Sequence, residues 1–209
     1  MELFRKAAGE PRVLGVFPGA FHPPTTAHLA LARAALARVD EVLFVLPRLF
    51  PHKVYETVGF DARRRLMLAA AVGPRFSAGS SDHGLFIEIA RECRGLYGPR
   101  PEMWFLCGRD AAERIVNWDY GDPTAFAAML DEFGLLVADR NGPYEPPPAF
   151  AHRMERLATT ADLTGVSSAV VRDRIRAGEA WEHLVPEEIR EDVMRLYGFR
   201  PATPSGNAS

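Results

Sequence analysis

The sequence predicts an α/β fold: an open parallel sheet with helices on both faces and a helical C-terminal segment. Three observations point there. Four short apolar runs lack polar alternation, at Val13–Phe17, Val42–Leu46, Met103–Cys107 and Leu135–Ala138, as in strands covered on both faces. Stretches of helical periodicity separate them, so strands and helices alternate. Each run also passes directly into a Gly-, Pro- or charge-bearing turn. The candidate chemistry therefore collects at the C-terminal strand ends, where open α/β sheets bind ligands.

The first unit, Val13 to Leu36, reads VLGVFPGAFHPPTTAHLALARAAL. Its strand breaks at Pro18-Gly19, the chain passes Pro23-Pro24, and a helix starts near Thr26. Leu29, Leu36 and Val39 fall together on the helical wheel. The second strand leads into a loop from Pro47 to Phe60 that holds Pro51-His52-Lys53. Asp61 is a good N-cap for the next helix, with Leu66, Leu68 and Ala69 behind it. Arg75 to Ser80 reads as a short strand, and Gly84 to Tyr97 as a helix with Phe86, Ala90, Cys93 and Tyr97 on one face. The third apolar run ends in Gly108-Arg109-Asp110, and Asp122-Pro123 opens a further helix. The fourth runs into Asp139-Arg140-Asn141-Gly142, followed by loop.

Toward the C-terminus, Ser167-Ser168 caps a helix reaching Ala177, with Gly178 as its stop. Pro186-Glu187-Glu188 opens the last helix, whose Ile189, Val193 and Leu196 form a buried stripe before Gly198. The expected sheet has five or six parallel strands. Residues 1–199 are expected to be one domain, helical from about 163, and 200–209 a disordered tail rich in small and polar residues.

Composition narrows the function. At 209 residues, with 47% hydrophobic and 25% charged residues, the chain can bury a full core. No apolar run reaches membrane-spanning length, and MELFRKAAGEPR lacks the apolar centre of a secretion signal. A net charge of −2 argues against general nucleic-acid binding. Cys93 and Cys107 lie inside apolar patterns and suggest no disulfide framework. The expectation is a cytoplasmic protein acting on small molecules, without nucleic-acid or membrane partners.

Two helix starts carry the chemistry. A strand, a Gly/Pro turn and a helix N-terminus present free backbone N–H groups and the positive end of a helix dipole to an anion. Gly19, Ala20 and Phe21 supply the turn, Thr25 stands as N-cap, phosphate contact or both, and His28 lies in the first helical turn. A solvated surface histidine is the plain alternative, and the position directly after a Gly/Pro loop speaks against it. Ser167 and Ser168 place two hydroxyls at a second helix start, with Arg172 one turn on. Such a group can hold phosphate oxygens, with the guanidinium adding a bidentate contact. The alternative is an ordinary serine cap followed by a surface arginine.

These residues resemble the signatures of the nucleotidylyltransferase superfamily and, within it, the nicotinate/nicotinamide mononucleotide adenylyltransferases. The stretch from Gly19 to His28 is similar to the superfamily's G-x-F-[DN]-P turn and [HT]-x-G-H. Gly19, Phe21, Pro23 and His28 match; His22 replaces Asp or Asn, Ala27 replaces Gly, and Thr25 stands where many bacterial members carry histidine. Val166 to Arg172 resembles ISSTxxR, with Ala169 for Thr. Gly108-Arg109-Asp110 matches GxD, Pro51-His52-Lys53 the end of PPHK, and Arg64 with Met67 the family's RxxM. The SYTxDT segment that helps hold nicotinate mononucleotide in bacterial members is replaced by Gly84-Leu85-Phe86-Ile87-Glu88-Ile89, so the ATP half of the site is better supported than the acceptor half.

The resemblance implies a Rossmann-like sheet and transfer of AMP from ATP to the phosphate of a pyridine mononucleotide. Carried over residue by residue, it implies ATP binding by Gly19, Ala20, Phe21, Thr25, His28, Gly108, Asp110, Ser167, Ser168 and Arg172. His28 and Arg172 would be catalytic, and Lys53, Trp118 and Arg140 would hold the acceptor. Mg²⁺ would arrive with ATP, without metal ligands of the protein's own. The nearest rival is a superfamily member using another phosphorylated acceptor. An aminoacyl-tRNA synthetase-like enzyme fits poorly, because the chain has no KMSKS-like loop and no basic face. A non-catalytic nucleotide sensor is disfavoured by His28 and Arg172 together.

Overall fold

A computed structural model describes residues 1–49, 58–139, 142–159 and 164–198. Among them the chain runs β1 (Glu2–Arg5), β2 (Val13–Pro18), α1 (Thr26–Ala35), β3 (Glu41–Pro47), α2 (Phe60–Ala70), β4 (Phe76–Ser81), α3 (Phe86–Tyr97), β5 (Glu102–Gly108) and α4 (Arg109–Val116). It continues with α5 (Ala125–Glu132), β6 (Gly134–Ala138), β7 (Met154–Leu157), α6 (Ser168–Ala177) and α7 (Arg190–Tyr197).

The strands form one sheet in the order β1-β4-β3-β2-β5-β6-β7. All neighbours from β4 to β7 pair in parallel, while β1 adds to the edge in antiparallel fashion. Counting only the parallel strands, the order is the 3-2-1-4-5-6 of a doubly wound sheet, whose order reverses between β2 and β5.

Burial explains the unalternating strands. On one face Leu14, Val16, Leu43 and Val45 pack with Ile89 and Cys93 of α3, Ala112 of α4 and Phe126 of α5. On the other, Phe17, Val42, Phe44 and Leu46 pack with Leu29 and Ala32 of α1 and Met67 of α2. Burying each such side chain contributes about 2 kcal/mol. A third cluster joins Leu66 and Ala70 of α2 to Val171, Trp181, Leu184, Ile189 and Val193, which docks the C-terminal helices onto α2. Both cysteines are buried and free. No helix of the described residues is long and apolar enough to cross a membrane.

Several expectations need correction. The sheet has seven strands among the described residues rather than five or six, because β1 and β7 are four-residue strands too short to show a period. Gly79 admits β1: a Cβ there would lie 2.6 Å from the Glu2 carbonyl oxygen. Helix α2 is capped by Gly59 and starts at Phe60, so Asp61 sits in the first turn, paired with Arg64, rather than at the cap. Asp122-Pro123 precedes α5 instead of opening it; the Asp122 carboxylate accepts from the Thr124 N–H and hydroxyl in the turn before the helix. Helix α4, directly after Gly108, was not expected. The expected tail, 200–209, lies outside the described residues.

Candidate active site

The adjacent parallel strands β2 and β5 end side by side where the strand order reverses, the place at which doubly wound sheets open a ligand crevice, so the turn from Gly19 to Thr25 and Gly108 fall at one strand end. The first turn is held tightly. The Gly19 N–H donates to the Val45 carbonyl at 3.0 Å, and a Cβ on Gly19 would lie 2.9 Å from the Phe21 ring. Phe21 is only 1% exposed, edge-on to Phe17, and has φ +46°, a left-handed conformation unusual for a non-glycine residue. The His22–Pro23 peptide is cis.

Thr25 caps α1 in an extended conformation, and the cap is reciprocal. The His28 N–H donates to Thr25 Oγ1 at 3.4 Å, while the Thr25 N–H donates to His28 Nδ1 at 3.0 Å. Thr25 Oγ1 also lies 2.7 Å from Nδ1. A ring nitrogen that accepts a backbone N–H carries no proton, so the neutral imidazole holds its proton on Nε2. Burial pushes the His28 pKa down to about 4, which keeps the ring neutral near pH 7. Thr25, expected among the ATP contacts, has 0% exposure, and its hydroxyl faces His28 instead.

The second helix start, far away in sequence, is tied to the same turn. Ser167 caps α6, its Oγ accepting from the Val170 N–H at 3.2 Å. The Ser168 hydroxyl donates to the Pro23 carbonyl at 2.7 Å, and Arg172 Nη1 donates to the His22 carbonyl at 2.6 Å. Arg63 of α2 reaches in from behind, with Nη1 3.2 Å from the Ala20 carbonyl. His22 itself is buried edge-on against Tyr197, 5.1 Å between ring centroids. Burial, then the Arg172 and Arg63 guanidiniums, hold its pKa down to about 4. The structure thus brings His28, Ser168 and Arg172 to one turn.

Across the crevice, Gly108 ends β5 and caps α4. Its backbone is ordinary, and a Cβ there would meet nothing within 4 Å. Neither strain nor packing calls for glycine, which leaves open space over this strand end. Asp110 is exposed in the first turn of α4, and Trp118, just past its end, is 43% exposed. Arg64, matched to RxxM, lies at the surface, paired with Asp61 and over the Phe4 ring. Lys53 and Arg140 lie outside the described residues.

The sequence profile of the cytidylyltransferase-like family matches residues 16–174, from β2 into α6. The chain belongs to that family. This cytidylyltransferase-like protein is 32% identical over 203 residues to a probable nicotinate-nucleotide adenylyltransferase of Geobacillus kaustophilus, covering 90% of this chain and 87% of the relative. A protein of the same name from Thermus thermophilus is 29% identical over 185 residues, covering 84% and 93%. Its fold is also that of the Plasmodium falciparum nicotinic acid mononucleotide adenylyltransferase complexed with NaAD, at a TM-score of 0.70 and 16% identity, covering 90% and 98%.

Two residues of this cytidylyltransferase-like site escaped the sequence reading. Arg63 is one of three consecutive arginines and looks like any other. It shares the wheel positions of Leu66, Met67 and Ala70, so helical phase was the available signal. Tyr197, which covers His22, had no signal in the sequence.

Proposed function

We propose that the chain is an adenylyltransferase that moves AMP from ATP to the phosphate of nicotinate or nicotinamide mononucleotide and releases pyrophosphate, a step of NAD biosynthesis. The observation that carries this is the Thr25–His28 cap at the crevice, with the start of α6 tied to the same turn. An acceptor phosphate oxygen attacks the α-phosphorus of ATP while the bond from that phosphorus to the bridging β-phosphate oxygen breaks. The electron pair leaves with pyrophosphate. A phosphate is already a competent nucleophile, so the protein contributes alignment and charge stabilisation.

His28, neutral, donates its Nε2–H to the α-phosphate oxygens as charge develops on them. Thr25 acts through His28, presenting one tautomer. Arg172 uses one of its five N–H donors on His22 and offers others to the β- and γ-phosphates, together with the Ser167 hydroxyl and the N–H groups of Ser167 and Ser168, since the Ser168 hydroxyl spends its proton on Pro23. Gly19, Ala20 and Phe21 supply backbone to the phosphates. The open space over Gly108 admits the adenosine, whose ribose hydroxyls donate to Asp110. The Trp118 ring stacks on the pyridine, and Lys53 and Arg140 complement the acceptor phosphate. Mg²⁺ enters as the ATP complex, bound through phosphates and water. Residues 1–199 act as one cytoplasmic catalytic domain, which the cluster joining α2 to α6 and α7 supports.

Pyrophosphate release from ATP, measured with each pyridine mononucleotide and with other phosphorylated acceptors, tests the reading. Turnover with a pyridine mononucleotide is the expected result. A second reading, the same chemistry on another acceptor, is favoured by the apolar residues at Gly84 to Ile89, where Leu85 is exposed at the cap of α3. Turnover confined to a non-pyridine acceptor would select it.

A further inference from the structure

Three donors from the helices behind the catalytic turn hold three of its carbonyls: Arg63 on Ala20, Arg172 on His22 and Ser168 on Pro23. The last two peptides lead into prolines and carry no N–H. The Ala20–Phe21 peptide does, and in a planar trans peptide the N–H points opposite to the carbonyl. Turning the Ala20 oxygen toward Arg63 therefore turns the Phe21 N–H away from α2. Among the described residues that N–H makes no hydrogen bond. A donor in a residue so deeply buried needs an acceptor, and the phosphate chain of ATP is one. Phe21 holds its left-handed backbone, which persists only where the surroundings over-determine it.

Arg63 is 4% exposed, on the helix face that also buries Leu66, Met67 and Ala70. Packing at that position would be met by leucine or methionine. A guanidinium there brings a desolvated positive charge and a donor to the back of the turn. We propose that Arg63 is a positioning residue for the adenylyl transfer: by holding the Ala20 carbonyl it aims the Phe21 N–H at the transferring phosphate. The inference rests on the function proposed above. Arg63 does not itself touch substrate, so its removal misaligns a donor used most fully in the transition state and lowers kcat more than it raises KM.

The test compares Arg63→Met, Arg63→Lys and Arg65→Met with the parent, in steady-state pyrophosphate release at a temperature where circular dichroism shows each variant folded. Arg65 is exposed two residues along the same helix and serves as the control. Arg63→Met should lower kcat at least thirtyfold, with KM for ATP and for acceptor within threefold. Arg63→Lys, which restores a cationic donor, should fall only three- to tenfold short of the parent, and Arg65→Met should match it. A folded Arg63→Met with kcat within threefold of the parent overturns the proposal. So does a loss that lysine does not relieve, or one in which kcat and KM change together. If the methionine variant does not fold, the lysine variant decides: a three- to tenfold fall in kcat at unchanged KM supports the role, and parental kcat rejects it. Turnover by the parent tests the functional reading, whereas the ratio of variant to parent tests Arg63 alone.

Discussion

The Thr25 N–H and hydroxyl both meet Nδ1 of His28, at 3.0 and 2.7 Å, so the residue that caps α1 also sets which imidazole nitrogen carries the proton. His28→Ala should leave ATP affinity nearly unchanged and lower kcat about a hundredfold, roughly 3 kcal/mol, the loss of one preorganised donor. Arg172→Ala should weaken ATP binding as well, since its partner is present in the ground state. Isothermal titration with ATP and steady-state turnover separate the two; a His28→Ala enzyme as fast as the parent would contradict the mechanism.

Thr25→Val keeps the shape and removes the hydroxyl. The helix loses a cap, about 1 kcal/mol of stability, and the imidazole loses one of the two groups that select its tautomer. The expected outcome is a lower melting temperature together with a fall in kcat of about tenfold at constant KM for ATP. Loss of stability with parental kcat would leave Thr25 as a cap only.

His22 and His28 predict the acid limb of stability. Both have pKa values lowered from 6.5 to about 4 in the folded protein. Between those values the unfolded chain binds protons that the folded chain refuses. The stabilisation is thus fully present above pH 6.5 and is lost as pH falls toward 4, by up to about 3 kcal/mol for each histidine. Urea midpoints measured from pH 7 to 4.5 should fall steeply, and His22→Asn should flatten that slope. A parental slope in the variant would remove His22 from the account.

Tyr97 donates to the Glu41 carboxylate at 2.5 Å, with Glu41 only 2% exposed. Burial and then this bond push the tyrosine pKa well up, so the hydroxyl stays a donor. Tyr97→Phe strips a buried carboxylate of that donor and should cost about 2 kcal/mol without affecting turnover, because Glu41 opens β3, at the other end of the strands from the turn that follows β2. Chemical denaturation and a turnover assay on the same variant check both halves.

For the acceptor, the apolar Leu85, Phe86 and Ile87 stand where the resemblance leads one to expect the polar SYTxDT segment. A site built to hydrogen-bond one ligand form rejects the other strongly, and an apolar wall does not. Nicotinate and nicotinamide mononucleotide should therefore differ in kcat/KM by less than about a thousandfold. A larger preference in competition assays would show a polar contact that this segment does not supply.

The sequence by itself determined the units. The apolar runs that became β2, β3, β5 and β6, and the caps at Thr25 and Ser167, are local patterns in which each residue's partner lies within a turn or a strand of it. Only the tertiary structure decided the strand order, the antiparallel β1 edge and the four-residue β7. It also decided that Ser168 and Arg172 reach back 145 and 150 residues to the Pro23 and His22 carbonyls, and that Arg63 rather than Arg64 faces the turn. Periodicity reports that a face is apolar, not which element covers it. A hydrogen bond across the whole chain leaves no spacing to read, because it exists only once the sheet has set its helices side by side.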